Sequence, residues 1–284
     1  MKVKTVFWVL GIAAMLASCS NEDVPQETND GDKNVVTFTA TLDKNMNTRA
    51  DDDQSEVYRV MLTVFTEPDG MGTMIYRKEI PKGEDGKFTF SIPNLNSGQK
   101  YSFVFFAYNV QEGYDHPSWT DIFVMEELPC KKEAYALATN LTPEEISQSG
   151  VLLKHIVAKI SMQTTVDLTA NDVIRLHATA YRHFNVITNT ARTDKDKRDV
   201  FVEARNNFSA GDIIGSIYLL GTEEPQTVQI EYVGRPSKKK ITNVPVNPNK
   251  HVILKGNFKQ VGITDANFSV SLDENWGSDE TKDF

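Results

Sequence analysis

From Val35 onward, hydrophobic residues recur at every second position in short segments parted by turn formers. That is the period of a pleated strand and not of a helix. Val36, Phe38, Ala40 and Leu42 fall on one face of a first strand, while Thr37, Thr39 and Thr41 fall on the other. Tyr58, Val60, Leu62 and Val64 repeat the pattern, and Pro68-Asp69-Gly70 turns the chain toward another strand around Met74 to Ile80. Asp85-Gly86 makes a hairpin signal before Phe88, Phe90 and Ile92. Residues 101 to 108 (YSFVFFAY) are apolar or aromatic on both faces, which predicts a central strand covered from each side.

Thr142-Pro143-Glu144-Glu145 reads as a helix start, with a Thr cap, Pro at the first helical position and Glu three residues after the cap. A short helix is expected near residues 143–149, ended by Gly150. The alternation then begins again, with strands expected near 151–163, 172–187, 198–205, 213–220, 226–233, 239–246, 250–258 and 266–276. The expectation is an all-β chain of two tandem β-sandwiches, residues 35–150 and 151–284. No repeat of fixed period occurs, so solenoids and propellers are disfavoured.

The first 34 residues obey other rules. Lys2 and Lys4 precede Val6 to Leu16, an uncharged run of eleven residues. It has the length of a signal peptide and is too short to cross a bilayer core of about 30 Å as a helix. It leads into Leu16-Ala17-Ser18-Cys19, which resembles a bacterial lipobox. Residues 1–18 are therefore expected to be removed and Cys19 to be lipidated. Each buried acyl CH₂ contributes about 0.8 kcal/mol, and more than one chain would hold the protein at the membrane. Residues 19–34 are polar and acidic and read as a flexible tether, and the Ser20-Asn21-Glu22-Asp23 start resembles an export signal of surface lipoproteins. The expected location is the outer face of an outer membrane.

Charge and chemistry narrow the function further. The 284-residue chain carries 30 Lys and Arg against 39 Asp and Glu, a net −9 that deepens to −11 once Lys2 and Lys4 are lost. Such a chain repels phosphates, so nucleic acid is not an expected partner. Two Cys and five His argue against a disulfide scaffold and a multi-ligand zinc site, and with Cys19 acylated Cys130 has no partner in the chain. His177 and His183, taken as one regular strand, would lie about 20 Å apart, too far to share an ion. Asp273, Asn275, Asp279 and Glu280 lack the spacing of a calcium loop. The acids cluster in loops, and no nucleophile elbow, His-Glu-x-x-His, phosphate-cradling loop or Cys-x-x-Cys occurs. No enzyme activity, cofactor or metal is expected. Arg235, Lys238, Lys239 and Lys240 form the one basic cluster, read as a solvated hairpin or a contact for an anionic glycan, and Tyr114 and Trp119 are aromatics that a glycan-binding surface could use.

Three stretches resemble the fimbrillin family, the lipoprotein-derived subunits and anchors of type V pili. They are Val35 to Ala50 (VVTFTATLDKNMNTRA), Leu152 to Thr164 (LLKHIVAKISMQT), and His183 to Thr188 (HFNVIT) together with Val246 to Gly256 (VNPNKHVILKG). His155 stands where the family usually carries Arg before Ala-Lys-Ile. The resemblance implies a pair of transthyretin-like sandwiches whose first strand is released by a protease cutting after an arginine. Arg49, followed by Ala50, is the matching position, in a polar stretch where a backbone can enter a protease. Release would bare an apolar groove and a row of unpaired backbone groups, which an extended strand of another subunit can fill. The expected donor lies in Asn267 to Trp276, where Phe268, Val270 and Leu272 alternate. The expected role is a structural or adhesive fimbrial subunit whose partners are other fimbrial subunits. The alternatives are the fimbrial anchor, or a surface lipoprotein that binds a glycan or host ligand without polymerising.

Overall fold

The computed structural model of the chain describes residues 35–43, 58–83, 85–109, 114–118, 121–124, 134–263 and 266–273. Its first half runs β1 (Val35–Leu42), β2 (Tyr58–Phe65), β3 (Met74–Pro81), β4 (Phe88–Pro93), β5 (Tyr101–Asn109), β6 (Tyr114–Ser118), β7 (Asp121–Val124), β8 (Ala134–Leu141), helix α1 (Pro143–Gln148) and β9 (Val151–His155). The remainder runs β10 (Val157–Thr164), β11 (Ile174–Tyr181), β12 (His183–Asn185), β13 (Thr190–Ala191), β14 (Lys197–Ala204), β15 (Ile213–Leu220), β16 (Gln226–Tyr232), β17 (Lys239–Val244), β18 (His251–Gly256) and β19 (Phe268–Leu272). The architecture is all-β, as the two-residue period predicts.

A seven-stranded sheet has the order β3-β2-β5-β8-β9-β1-β4. It turns a corner where β8 and β9 share only the pairs Tyr135↔His155 and Ala136↔Lys154. The two limbs then face each other. Phe38 on β1 stacks on Phe90 of β4 at 5.7 Å and meets Phe103 and Phe105 of β5 edge-on at 6.0 Å each. Such ring pairs add about 0.5–1.5 kcal/mol beyond area burial. The inward residues of β5 fill this first core, while Val104 and Phe106 point into a second one with Ile122, Phe184, Val186 and Ala191. Strand β5 is therefore buried on both faces, and the sheet β13-β12-β7-β6 contributes to its cover.

The strand expected over 151–163 is two strands. Ile156 breaks it and donates its N–H to Ala134 at 2.9 Å. Before it, β9 belongs to the first sheet; after it, β10 belongs to a sheet ordered β15-β10-β18-β19. This sheet faces β14-β11-β16-β17 across a third core that includes Ile160, Met162, Leu176, Ile230, Val252 and Leu254. The long strand expected over 172–187 is also broken: β11 ends at Tyr181, and His183 opens β12 in the small sheet. His177 and His183 consequently lie in different sheets, where they bond Glu231 at 2.6 Å and Asp121 at 3.3 Å.

Helix α1 has the cap expected of it. The Thr142 hydroxyl accepts from the Glu145 N–H, and the Glu145 carboxylate accepts from the Thr142 N–H at 2.8 Å. The hairpin expected at Asp85-Gly86 does not form, because β3 pairs with β2 and β4 with β1 at opposite ends of the sheet order; Gly86 turns the connection between them with φ at +80°, a conformation that a side chain disfavours. No helix among the described residues is long and apolar enough to cross a membrane.

Candidate functional site

Strand β1 is built into its sheet from both sides. It runs antiparallel to β4 from Val35↔Pro93 to Ala40↔Phe88 and parallel to β9 from Ala40↔Val151 to Leu42↔Leu153. Asp43 then donates its N–H to Leu153 at 2.8 Å. The alternation in sequence decides which side chains enter the core: Phe38 and Ala40 are 3% and 0% exposed, while Thr37 turns outward to meet the Ser91 hydroxyl at 3.1 Å. What β1 occupies is a slot between two strands, roofed by aromatic rings. Arg49, Ala50 and Cys19 lie outside the described residues, as do Cys130 and Trp119.

The residues expected to donate, Phe268, Val270 and Leu272, lie on β19, antiparallel to β18 from Val252↔Leu272 to Gly256↔Phe268. This strand is at the edge of its sheet. Phe268 is half-buried with its ring 5.1 Å from that of Phe258. Gly256 makes room for it, because a Cβ there would sit 2.3 Å from the Phe268 ring. Val270 and Leu272 remain 40% and 46% exposed. The two segments singled out by sequence thus occupy opposite situations, one locked between neighbours and one on an open edge with Val270 and Leu272 exposed.

A constellation that sequence reasoning missed fastens the far end of β19. Ser161 Oγ lies 2.8 Å from His251 Nε2, and His251 Nδ1 lies 3.0 Å from Asp273 Oδ2. Asp273 also donates its N–H to the His251 carbonyl at 2.9 Å. Burial pushes the His251 imidazole below its ordinary value, and Lys159 adds to this against the opposing pull of Asp273. A neutral ring donates from Nδ1 to the carboxylate and accepts the Ser161 hydroxyl at Nε2. The order of groups is that of a hydrolytic triad, but the setting differs. Ser161 is 1% exposed in the middle of β10, paired to β15 on one side and β18 on the other, and its hydroxyl also meets Ser216 at 2.7 Å. A triad needs an accessible nucleophile and spare N–H donors for an oxyanion. No motif could have revealed the trio, since Ser161 is on β10, His251 opens β18 and Asp273 follows β19, and only the pairing of these strands brings them together. The carboxylate considered for calcium, Asp273, is thereby engaged with an imidazole.

The basic cluster does not act as one unit. Arg235 folds back, donating from one Nη1 to the Lys259 and Val261 carbonyls at 2.5 and 2.7 Å, with its guanidinium 3.6 Å from the Tyr232 ring centre. Lys238 pairs with Glu231 at 3.1 Å. Tyr232 in turn donates to Asp172 at 2.7 Å. Burial raises the Asp172 carboxyl, but bonds from Tyr232, Thr169 and Lys259 outweigh it and hold the group well below the usual range. Arg235 and Asp172 are therefore joints that pin the turn Phe258–Gln260 ahead of β19. Among the described residues no three of His, Cys, Asp and Glu gather as metal ligands would.

Residues 27–284 match the profile of a family described as a family of unknown function, DUF6562. The chain belongs to that family. No curated protein matches it. Among solved structures it is similar to a candidate polysaccharide-binding protein from Bacteroides thetaiotaomicron, with 12% identity, a TM-score of 0.52, and coverage of 84% of this chain and 96% of the other. It is similar also to the tip fimbrial protein Mfa3 from Porphyromonas gingivalis, at 10% identity and TM-score 0.50 over 84% of this chain and 98% of that one. A candidate adhesin from Bacteroides ovatus gives 10% identity and a TM-score of 0.53 over 81% and 91%. At these identities the likeness is one of fold.

Proposed function

We propose that the chain is a structural or adhesive subunit of surface fimbriae, exported as a lipoprotein acylated at Cys19 and assembled by strand exchange. The observation that carries this reading is the contrast between β1, held in a slot, and β19, held on an edge. Cutting after Arg49 would separate β1 and the lipid from the body. The loss would strip the partners of β4 and one edge of β9, and would uncover Phe90, Phe103 and Phe105, which Phe38 now touches. A bare slot of this kind recruits a strand. The β19 segment of a second copy has the right pattern: Phe268, Val270 and Leu272 on one side and hydroxyl residues Ser269 and Ser271 on the other, as β1 alternates hydrophobes with threonines.

The fold shared with a tip fimbrial protein and a candidate adhesin supports the reading. Its partners are other fimbrial subunits and the membrane, through the N-terminal lipid; its place is the cell surface. In this reading the residues carry out no covalent chemistry, and the Ser161–His251–Asp273 chain serves to fasten a strand. The test is incubation of the purified precursor with an arginine-specific protease. A new N-terminus at Ala50 followed by a ladder of oligomers is expected; a body that stays intact and monomeric overturns polymerisation and leaves the anchor role. A second reading, a surface protein that binds a glycan, is favoured by the fold shared with a candidate polysaccharide-binding protein.

A further inference from the structure

We propose that the outward face of the sheet β14-β11-β16-β17 is a carbohydrate-binding face centred on Phe201, and that its ligand is a neutral saccharide. Phe201 is 48% exposed, and no other aromatic side chain of this sheet is exposed. A single exposed apolar residue is ordinary on a protein surface. What distinguishes this one is its surroundings. The Arg175 guanidinium lies over the ring at 5.0 Å from its centre, and the His177 ring is 5.6 Å away. Strand register explains the grouping: Phe201 is opposite His177, Glu203 opposite Arg175, and Glu231 and Gln229 follow on the other side of β11. All point away from the core because their neighbours Leu176, Val200 and Ile230 point into it.

Beside the ring lies a recess of about 140 Å³ lined by His177, Thr179, Asp199, Thr227, Gln229 and Lys238. It offers an imidazole, hydroxyls, a carboxylate, an amide and an ammonium group. A pyranose presents an apolar C–H face and a rim of hydroxyls. An aromatic platform next to fixed donors and acceptors matches both parts.

The polar groups are also held in place before any ligand arrives. Arg175 Nε donates to Glu203 at 2.6 Å, and Arg205 bonds the same carboxylate. Glu231 accepts from His177 at 2.6 Å and from Lys238 at 3.1 Å. Side chains already restrained lose less freedom on binding. The same pairs decide the charge of the ligand. Glu203 offsets the charge of Arg175 and Arg205, Glu231 offsets that of Lys238, and Asp199 lines the recess, so an acidic sugar meets a carboxylate beside each of these cations. A neutral sugar meets no such repulsion.

This inference extends the adhesive side of the proposed function and does not depend on strand exchange. The full chain is titrated calorimetrically with neutral gluco-, manno-, galacto- and xylo-oligosaccharides and, separately, with oligogalacturonate. At least one neutral series is expected to bind. Phe201→Ala should weaken that binding by roughly tenfold or more, and Phe201→Tyr, which keeps a ring, should retain it. The melting temperature of each variant is read alongside. If Phe201→Ala does not fold, Gln229→Ala, which keeps the ring and removes the recess amide, is expected to weaken binding in its place. The inference is overturned if no neutral sugar binds at about 10 mM, if Phe201→Ala binds as the parent does, or if only oligogalacturonate binds. Such a failure leaves cleavage at Arg49 and laddering untouched, and a failure of laddering leaves sugar binding untouched.

Discussion

Two side chains show how single positions hold the first sandwich. Phe38 is the ring through which β1 grips both limbs of its sheet, so Phe38→Ala removes a buried aromatic that the surrounding rings cannot replace. A loss of about 3–5 kcal/mol is expected, read as a lower midpoint of chemical denaturation. Glu144 ties α1 to the turn before β5. Its carboxylate takes the Ser97 hydroxyl at 2.5 Å and the Gly98 N–H at 3.3 Å. The Ser97 bond leads the causes that lower its pKa from an ordinary 4.5 to about 2. A carboxyl depressed in the folded state stabilises above its unfolded pKa and ceases to do so as pH falls through the folded one. The melting temperature should therefore drop more steeply between pH 4.5 and 2 in the parent than in Glu144→Gln. Parallel curves for the two proteins would show that this carboxylate carries no linkage.

At the level of elements, the joint between β18 and β19 is the most exposed to challenge. Gly256→Ala places a methyl where the Phe268 ring now sits, and overpacking of this kind costs about 1–3 kcal/mol. The expected result is local: faster hydrogen exchange at the β19 amides, with the β10 and β11 amides unchanged. Protection that stays uniform would mean that Phe268 finds room elsewhere. The elements were also where sequence reading succeeded and failed most clearly. Alternation located β1, β2, β4 and β15, a run apolar on both faces located β5, and the capping residues located α1, because such patterns and caps are local signals. Alternation could not reveal the breaks at Ile156 and Arg182. Both sit inside continuous β-forming sequence, and the break is made by a change of partner sheet, which is a long-range event. The face around Phe201 was hidden for the same reason: Arg175, Phe201 and Glu231 become neighbours only through register.

For the molecule as a whole, the proposed assembly separates two requirements that can be tested apart. Deleting the chain after Ala266 removes β19 but leaves β1 and its slot, so cleavage after Arg49 should proceed and the ladder should vanish. Adding a synthetic peptide of residues 266–276 to the parent during cleavage should shorten the ladder, because a free strand competes for the slot. A ladder that survives the deletion would assign the donor to another segment. The paired cores suit such an exchange, since the strand that leaves and the strand that would arrive belong to different sheets.

The contact between His251 and Asp273 gives that exchange a signature of its own. Were β19 to leave for a neighbour as proposed, it would take the aspartate along, and the imidazole left behind would lose the carboxylate that now faces it. Its ring-proton resonances should then shift in step with polymer length, so one buried histidine would count, spectroscopically, how many tails have been given away.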